Sequence, residues 1–322
     1  VTWIPYEGGH GGIPILVGDK IVTTGGYAAG GPGAIYISTM ATDGTDSGDT
    51  ETLADGPQSL TNPISDGSNV YVAYRDEYPR NWLSYWTISG LVFNANQHAQ
   101  ANPFNGLTLC DDGIAMALGS GIAGFSSSAP GVNTYTLPNS DLSGGADDSF
   151  SSPFSFGIFD GTYVWSVVLS TDTLYRITPN PIGGATFTMP DTVSNNDQIA
   201  FDGTYVYLSL DGGGIYVFDV TTHTGTTHGS TVTTHCWYSA NLGKIVVADS
   251  SANIYTMPLG GGALTLIGNA DTILSDSGSG VQGFCDGPGD HDLWATFANG
   301  TDRWNAVYTP DVASNKIVMV IS

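Results

Sequence analysis

Short apolar runs of strand length, alternating with polar positions and cut by turns rich in Gly, Asp and Asn, extend through the whole chain. The stretch from Asn196 to His228 shows the unit. Asn196 to Phe201 reads as a short strand ending on an aromatic. Asp202-Gly203 reads as the hairpin that follows, because Gly adopts positive φ freely and Asp caps its own turn. Tyr205 to Leu210 alternates as a second strand, Asp211 to Gly214 turns the chain, and Ile215 to Val220 forms a third. A Thr-rich segment comes next, where β-branched polar residues suit an outer strand facing water.

This unit repeats. The hexapeptide Phe-Asp-Gly-Thr-Tyr-Val occurs at 159–164 and again, letter for letter, at 201–206. Asp66-Gly67-Ser68-Asn69-Val70-Tyr71 aligns with it, and Asp112-Gly113-Ile114-Ala115-Met116 is a looser copy. Asp286-Gly287 opens another, with its apolar strand delayed to Leu293-Trp294. Gly18-Asp19-Lys20-Ile21-Val22 and Leu242-Gly243-Lys244-Ile245-Val246 fill the remaining gaps. The anchors stand about 40 to 48 residues apart, the length of one four-stranded propeller blade. Each unit carries a second marker downstream of its anchor, a tyrosine that usually follows an apolar residue, at Tyr36, Tyr85, Tyr135, Tyr175, Tyr216, Tyr255 and Tyr308. The expectation is an all-β fold with a single domain over 1–322, a seven-bladed β-propeller of four-stranded antiparallel blades. Asn315-Lys316-Ile317-Val318 looks like the second strands of blades 1 and 6, which leaves six or eight blades as alternatives. We read it as the fourth strand of blade 7. The other arrangement is a ring-closing blade completed by Val1 to Tyr6.

A third marker joins the first two. Tyr135-Thr-Leu-Pro138 precedes Gly144-Gly145-Ala146, Tyr175-Arg-Ile-Thr-Pro179 precedes Gly183-Gly184-Ala185, and Tyr255-Thr-Met-Pro258 precedes Gly261-Gly262-Ala263. The order D-G-x-x-V-Y, I-Y-x-x-P, G-G-A resembles the repeats of extracellular and periplasmic β-propellers of the YWTD and TolB-like kind. The resemblance implies a propeller serving as a scaffold outside the cytoplasm, and it assigns no catalytic residue.

Composition narrows the function. Seven Lys and Arg stand against thirty acids, for a net charge of −23, which argues against binding nucleic acid through its phosphates. It favours solubility and docking to cations or basic partners. Nearly all the acids are Asp, with Glu only at Glu7, Glu51 and Glu77, and with 44 Gly this is the composition of turns. No run of eighteen apolar residues exists, so no membrane-spanning helix is expected. The N-terminal VTWIPYEGGHGG lacks the basic and apolar regions of a signal peptide. Either a leader was removed or the protein reaches its destination without one. Cys110, Cys236 and Cys285 lack metal-type spacing and are expected as buried free thiols.

Candidate chemistry falls in three places. In a propeller the turns after the innermost strands ring one end of the channel. Asp19, Asp66, Asp112, Asp160, Asp202 and Asp286 would then form an acidic circle, serving either as turn formers or as a cation site for Ca2+. His223, His228 and His235, with Cys236, lie too far apart for two ligands on one strand face. The segment from Tyr74 to Trp82 concentrates charge of both signs with aromatics. Arg75, Asp76, Glu77, Tyr78, Arg80 and Trp82, with His98 from a neighbouring loop, are the candidate binding residues at the opposite end. No sialidase-type Asp box, Gly-x-Ser-x-Gly or phosphate loop is present.

These features weigh against an enzyme. The first reading is a non-catalytic interaction or structural propeller of an extracellular assembly. The scarcity of Lys and the wealth of Gly, Ser and Thr suit a virion component, phage tail or capsid-associated. Its partners would be other structural proteins or a cell-surface receptor or glycan. The alternatives are a secreted carbohydrate-binding or glycoside-cleaving propeller and a TolB-like scaffold.

Overall fold

The computed structural model describes residues 2–7, 13–18, 20–25, 36–40, 59–60, 62–75, 81–87, 92–94, 104–110, 114–119, 132–136, 154–168, 171–179, 182–193, 199–275, 277–278, 280–287, 292–299 and 302–309. They form seven antiparallel sheets. After the N-terminal strand β1 (Thr2–Glu7), blade 1 is built from β2 (Ile15–Val17), β3 (Lys20–Gly25) and β4 (Tyr36–Met40). Blade 2 contains β5 (Ser59–Leu60), β6 (Ile64–Ser65), β7 (Asn69–Arg75), β8 (Asn81–Thr87) and β9 (Val92–Asn94). Here β5 and β6 both pair with β7, so they act as one inner strand interrupted next to Pro63, which has no N–H for a ladder. Blade 3 is β10 (Phe104–Leu109), β11 (Ile114–Gly119) and β12 (Val132–Thr136).

The next three blades each show four strands. Blade 4 comprises β13 (Phe154–Phe159), β14 (Val164–Val168), β15 (Thr173–Pro179) and β16 (Ile182–Thr188). Blade 5 comprises β17 (Ala200–Phe201), β18 (Tyr205–Ser209), β19 (Ile215–Asp219) and β20 (Thr224–His228). Blade 6 is β21 (Thr233–Ser239), β22 (Lys244–Asp249), β23 (Asn253–Met257) and β24 (Thr265–Asn269), followed by the short helix α1 (Ala270–Leu274). Blade 7 runs through β25 (Gly280–Asp286), β26 (Leu293–Asn299) and β27 (Asp302–Thr309).

Its fourth strand is the N-terminal β1, which pairs with β27 from Thr2↔Thr309 to Glu7↔Trp304. This corrects the sequence reading. With β26 on one side of β27 and β1 on the other, no edge of β27 remains for Asn315 to Val318, which lie outside the described residues. A strand borrowed from the other end of the chain closes the ring, so the first and last blades are held by ladder hydrogen bonds as well as by packing.

The repeat markers have uniform places. Each anchor leads into a second strand (β3, β7, β11, β14, β18, β22 and, delayed to Leu293, β26), and every marker tyrosine lies on a third (β4, β8, β12, β15, β19, β23, β27). The middle strands are sandwiched between adjacent blades and are buried on both faces, as along β14 and β18. The Thr-rich β20 is exposed for most of its length. The core accordingly lies between blades. Trp165, Leu174 and Met189 meet Val206, Leu208 and Phe218 across the blade 4–5 seam. Ala200, Tyr207 and Ile215 meet Cys236, Ile245 and Met257 across the next. Val246 and Ile254 meet Phe284, Leu293 and Phe297 between blades 6 and 7. Ile21 of blade 1 packs with Cys285, Trp294 and Val307 of blade 7, joining the last blade to the first.

Candidate functional site

The turns between first and second strands come first, because they ring one end. In blade 5, Asp202 Oδ1 accepts the N–H groups of Thr204 and Tyr205, each at 2.8 Å. Its Oδ2 accepts the hydroxyl of Tyr207 at 2.5 Å. Gly203 takes φ 98°, which the turn requires. Blade 4 repeats the arrangement. Asp160 Oδ1 takes Thr162 and Tyr163 N–H at 2.8 and 2.7 Å, and Oδ2 takes the indole N–H of Trp165 at 2.6 Å. In blade 2, Asp66 receives Ser68 and Asn69 N–H, and the Tyr71 hydroxyl at 2.7 Å. Burial would raise the Asp66 carboxyl, but the bonds from Tyr71, Ser68 and Asn69 outweigh it and hold it below its usual range.

These carboxylates therefore close their own turns and satisfy a buried aromatic donor five residues on. Tyr71, Trp165 and Tyr207 are among the most deeply buried side chains of the protein. That aromatic partner escaped the sequence reading, yet the offset from Asp to Tyr or Trp at 66/71, 160/165 and 202/207 was its visible signal.

Asp286 does something else. Its Oδ1 accepts Ser239 Oγ–H at 2.6 Å and its Oδ2 accepts the Ala240 N–H at 3.2 Å, while Asn241 Nδ2 donates to Gly287 O at 3.1 Å. It clasps the first hairpin of blade 6 to blade 7. Tyr207 also reaches across a seam, accepting the Gly260 N–H at 2.7 Å from the third-to-fourth-strand turn of blade 6. Burial, then the bond to Asp202, pushes its phenol far up, so it stays a donor. In that turn Gly260, Gly261 and Gly262 all have positive φ, and a Cβ on Gly261 would collide with the His228 ring. The similar string in blade 4 behaves differently. There Gly183-Gly184-Ala185 lies inside β16, because β15 runs on to Pro179 and tightens the hairpin.

The histidines separate. His223 is exposed on the β19–β20 turn, His228 packs on Gly261, and His235 is buried on the innermost strand of blade 6. Burial pushes His235 down to about 4, against a backbone hydrogen bond at Gln282 of blade 7. Among the described residues, no group of three His, Cys, Asp or Glu is placed to hold a metal ion. Cys110, Cys236 and Cys285 are buried free thiols, and burial raises the Cys236 and Cys285 thiols well above their usual range, away from the reactive thiolate.

Of the other candidates, Asp19, Asp112, Asp76, Glu77, Tyr78, Arg80 and His98 lie outside the described residues. Arg75 and Trp82 have a described backbone, paired as Arg75↔Asn81 and Tyr74↔Trp82. They flank the hairpin between the second and third strands of blade 2, at the end opposite the Asp66 turn, as the repeat predicts.

Comparison with known proteins rests on shape alone. No protein-family model and no curated protein matches the sequence. Among solved structures, the WD40 domain of Neurospora crassa Pan2 is similar at 11% identity and TM-score 0.68, over 96% of this chain and 90% of that one. A chain of a mitotic checkpoint complex is similar at 12% identity and TM-score 0.62, over 93% and 90%. At these identities the likeness is one of fold, and it establishes this chain as a β-propeller.

Proposed function

We propose that this propeller is a non-catalytic interaction and structural component of an extracellular assembly, specifically a virion component of the phage-tail or capsid-associated kind that binds neighbouring proteins or a receptor. One observation carries the reading. The carboxylates that recur around the ring, Asp66, Asp160, Asp202 and Asp286, are committed to turn amides, buried aromatics and the adjacent blade. The repeat thus supplies a rigid frame, and recognition falls to the loops that do not repeat, foremost the charged hairpin flanked by Arg75 and Trp82. The net charge of −23 steers such a frame toward basic partner surfaces. The repeat-level resemblance to YWTD and TolB-like propellers favours the same extracellular setting. A propeller of similar shape occurs within a mitotic checkpoint complex, so the architecture is compatible with assembly.

The test is a structure of the native assembly combined with a double variant. The reading expects the 75–81 end of blade 2 against another polypeptide. Arg75→Ala with Arg80→Ala should weaken that association about tenfold while the melting temperature holds, as expected when surface charge pairs are lost. Unchanged association would remove the hairpin from the site. A free propeller that cleaves glycosides would overturn the proposal.

A further inference from the structure

The outer seam between blades 4 and 5 carries an arginine whose charge is met by no acid among the described residues. Arg176 on β15 is half-buried, with Cζ 4.5 Å from the centroid of the Tyr163 ring and 5.9 Å from that of Phe187. Its Nη1 lies 3.1 Å from Nε2 of His223. A guanidinium only donates, so Nε2 accepts and the ring proton sits on Nδ1. His223 is itself held in place: its φ is 57°, its N–H donates to Asp219 O at 2.9 Å, and its ring packs 4.9 Å from that of Phe187.

Among the described residues the partners of Arg176 are Tyr163, Phe187 and His223, and no carboxylate is among them. Two described acids near this seam are engaged with other groups. Asp160 serves its own turn and Trp165, and Asp219 Oδ1 accepts the Thr221 and Thr222 amides. Among the described residues this cation is set against aromatic rings rather than against an acid.

We propose that Arg176 is a recognition point for a single carboxylate, that of an Asp or Glu side chain on a partner protein. The guanidinium edge not used by His223 suits a two-bond carboxylate contact. The rings that hold it reduce the conformational entropy lost on binding. The exposed Thr221, Thr222 and Thr224 place hydroxyl groups on the adjoining turn for the partner's backbone. A net charge of −23 disfavours a polyanion here, so the fitting occupant is one carboxylate on an otherwise neutral or basic protein surface. This deepens the interaction reading above and rests on it for the partner being a protein.

The test titrates the full chain, 15N-labelled, with acetyl-Gly-Glu-Gly-amide and with its Gln counterpart at low salt, following the Arg176 Nε–Hε signal. The Glu peptide should give a saturable shift with a Kd of about 1–10 mM, the scale of one charge-assisted contact. The Gln peptide should give none, and Arg176→Lys, read through the Thr222 and His223 amides, should weaken the response about tenfold by losing the fork. Equal shifts with both peptides, no shift with either, or an undiminished response in Arg176→Lys would overturn the assignment. The peptide reads this site alone. A protein absent from any particle that still gave the Glu-specific shift would therefore refute the assembly reading and leave the carboxylate site standing.

Discussion

Asp202 shows how one side chain can serve turn, core and seam together. Its two oxygens receive two amides and the hydroxyl of buried Tyr207, which in turn receives Gly260 N–H from the next blade. Asp202→Ala strips three donors of their acceptor and should cost about 2–3 kcal/mol in urea unfolding. Asp202→Asn retains the Oδ1 acceptor for both amides and should cost about 1 kcal/mol. A neutral Asp202→Ala would contradict the staple. His235 governs a different window. Its folded-state value of about 4 lies below the ordinary 6.5, so above pH 6.5 the ring is neutral in both states and stability is complete. As pH falls from there toward 4, the unfolded chain takes up a proton that the buried ring refuses. Stability then declines, by a total on the order of 3 kcal/mol. His235→Gln should flatten that slope in unfolding free energies measured across the window, and an unchanged slope would assign it to other groups. Asp66 acts lower still. Its depressed carboxyl stabilises the fold above its unfolded value and loses that contribution as pH falls through the folded one.

At the scale of elements, position within the blade decides character. Second and third strands face a neighbouring blade on each side, so β14 and β18 are almost wholly buried, while β20 meets water and is mostly Thr. The outer place in blade 7 matters most, because β1 fills it from the far end of the chain. Removing residues 1–7 would bare the N–H and C=O groups along one edge of β27 and unlock the ring. The expected outcome is a melting temperature lower by at least about 10 °C, with concentration-dependent association by light scattering. A truncated chain that stayed monomeric and melted normally would show that packing alone closes the ring. The remaining hairpins are local, which is why Asp66, Asp160 and Asp202 arrive at the same geometry independently.

For the whole molecule, the sequence by itself determined the architecture. Repeating turn anchors, five of them Asp-Gly, and third-strand tyrosines located all seven blades, because hairpin turns and strand alternation are set by neighbours a few residues away. The buried cysteines were legible for the same reason, as apolar positions ahead of turns. Of the site, the sequence separated repeated acids from the unrepeated Arg75–Trp82 hairpin and set the two at opposite ends of blade 2. Contacts between residues far apart in the chain needed the tertiary structure. It decided that β1 rather than the tail completes blade 7, a choice between two apolar segments that only ladder pairing resolves. It decided that Asp286 clasps Ser239 and that Gly260 reaches Tyr207 across a seam. It also set Arg176 among Tyr163, Phe187 and His223, from two strands and two turns of two blades. Local preference encodes each hairpin, but which side chains meet across a seam depends on how two twisted sheets pack, and that information resides in no single repeat.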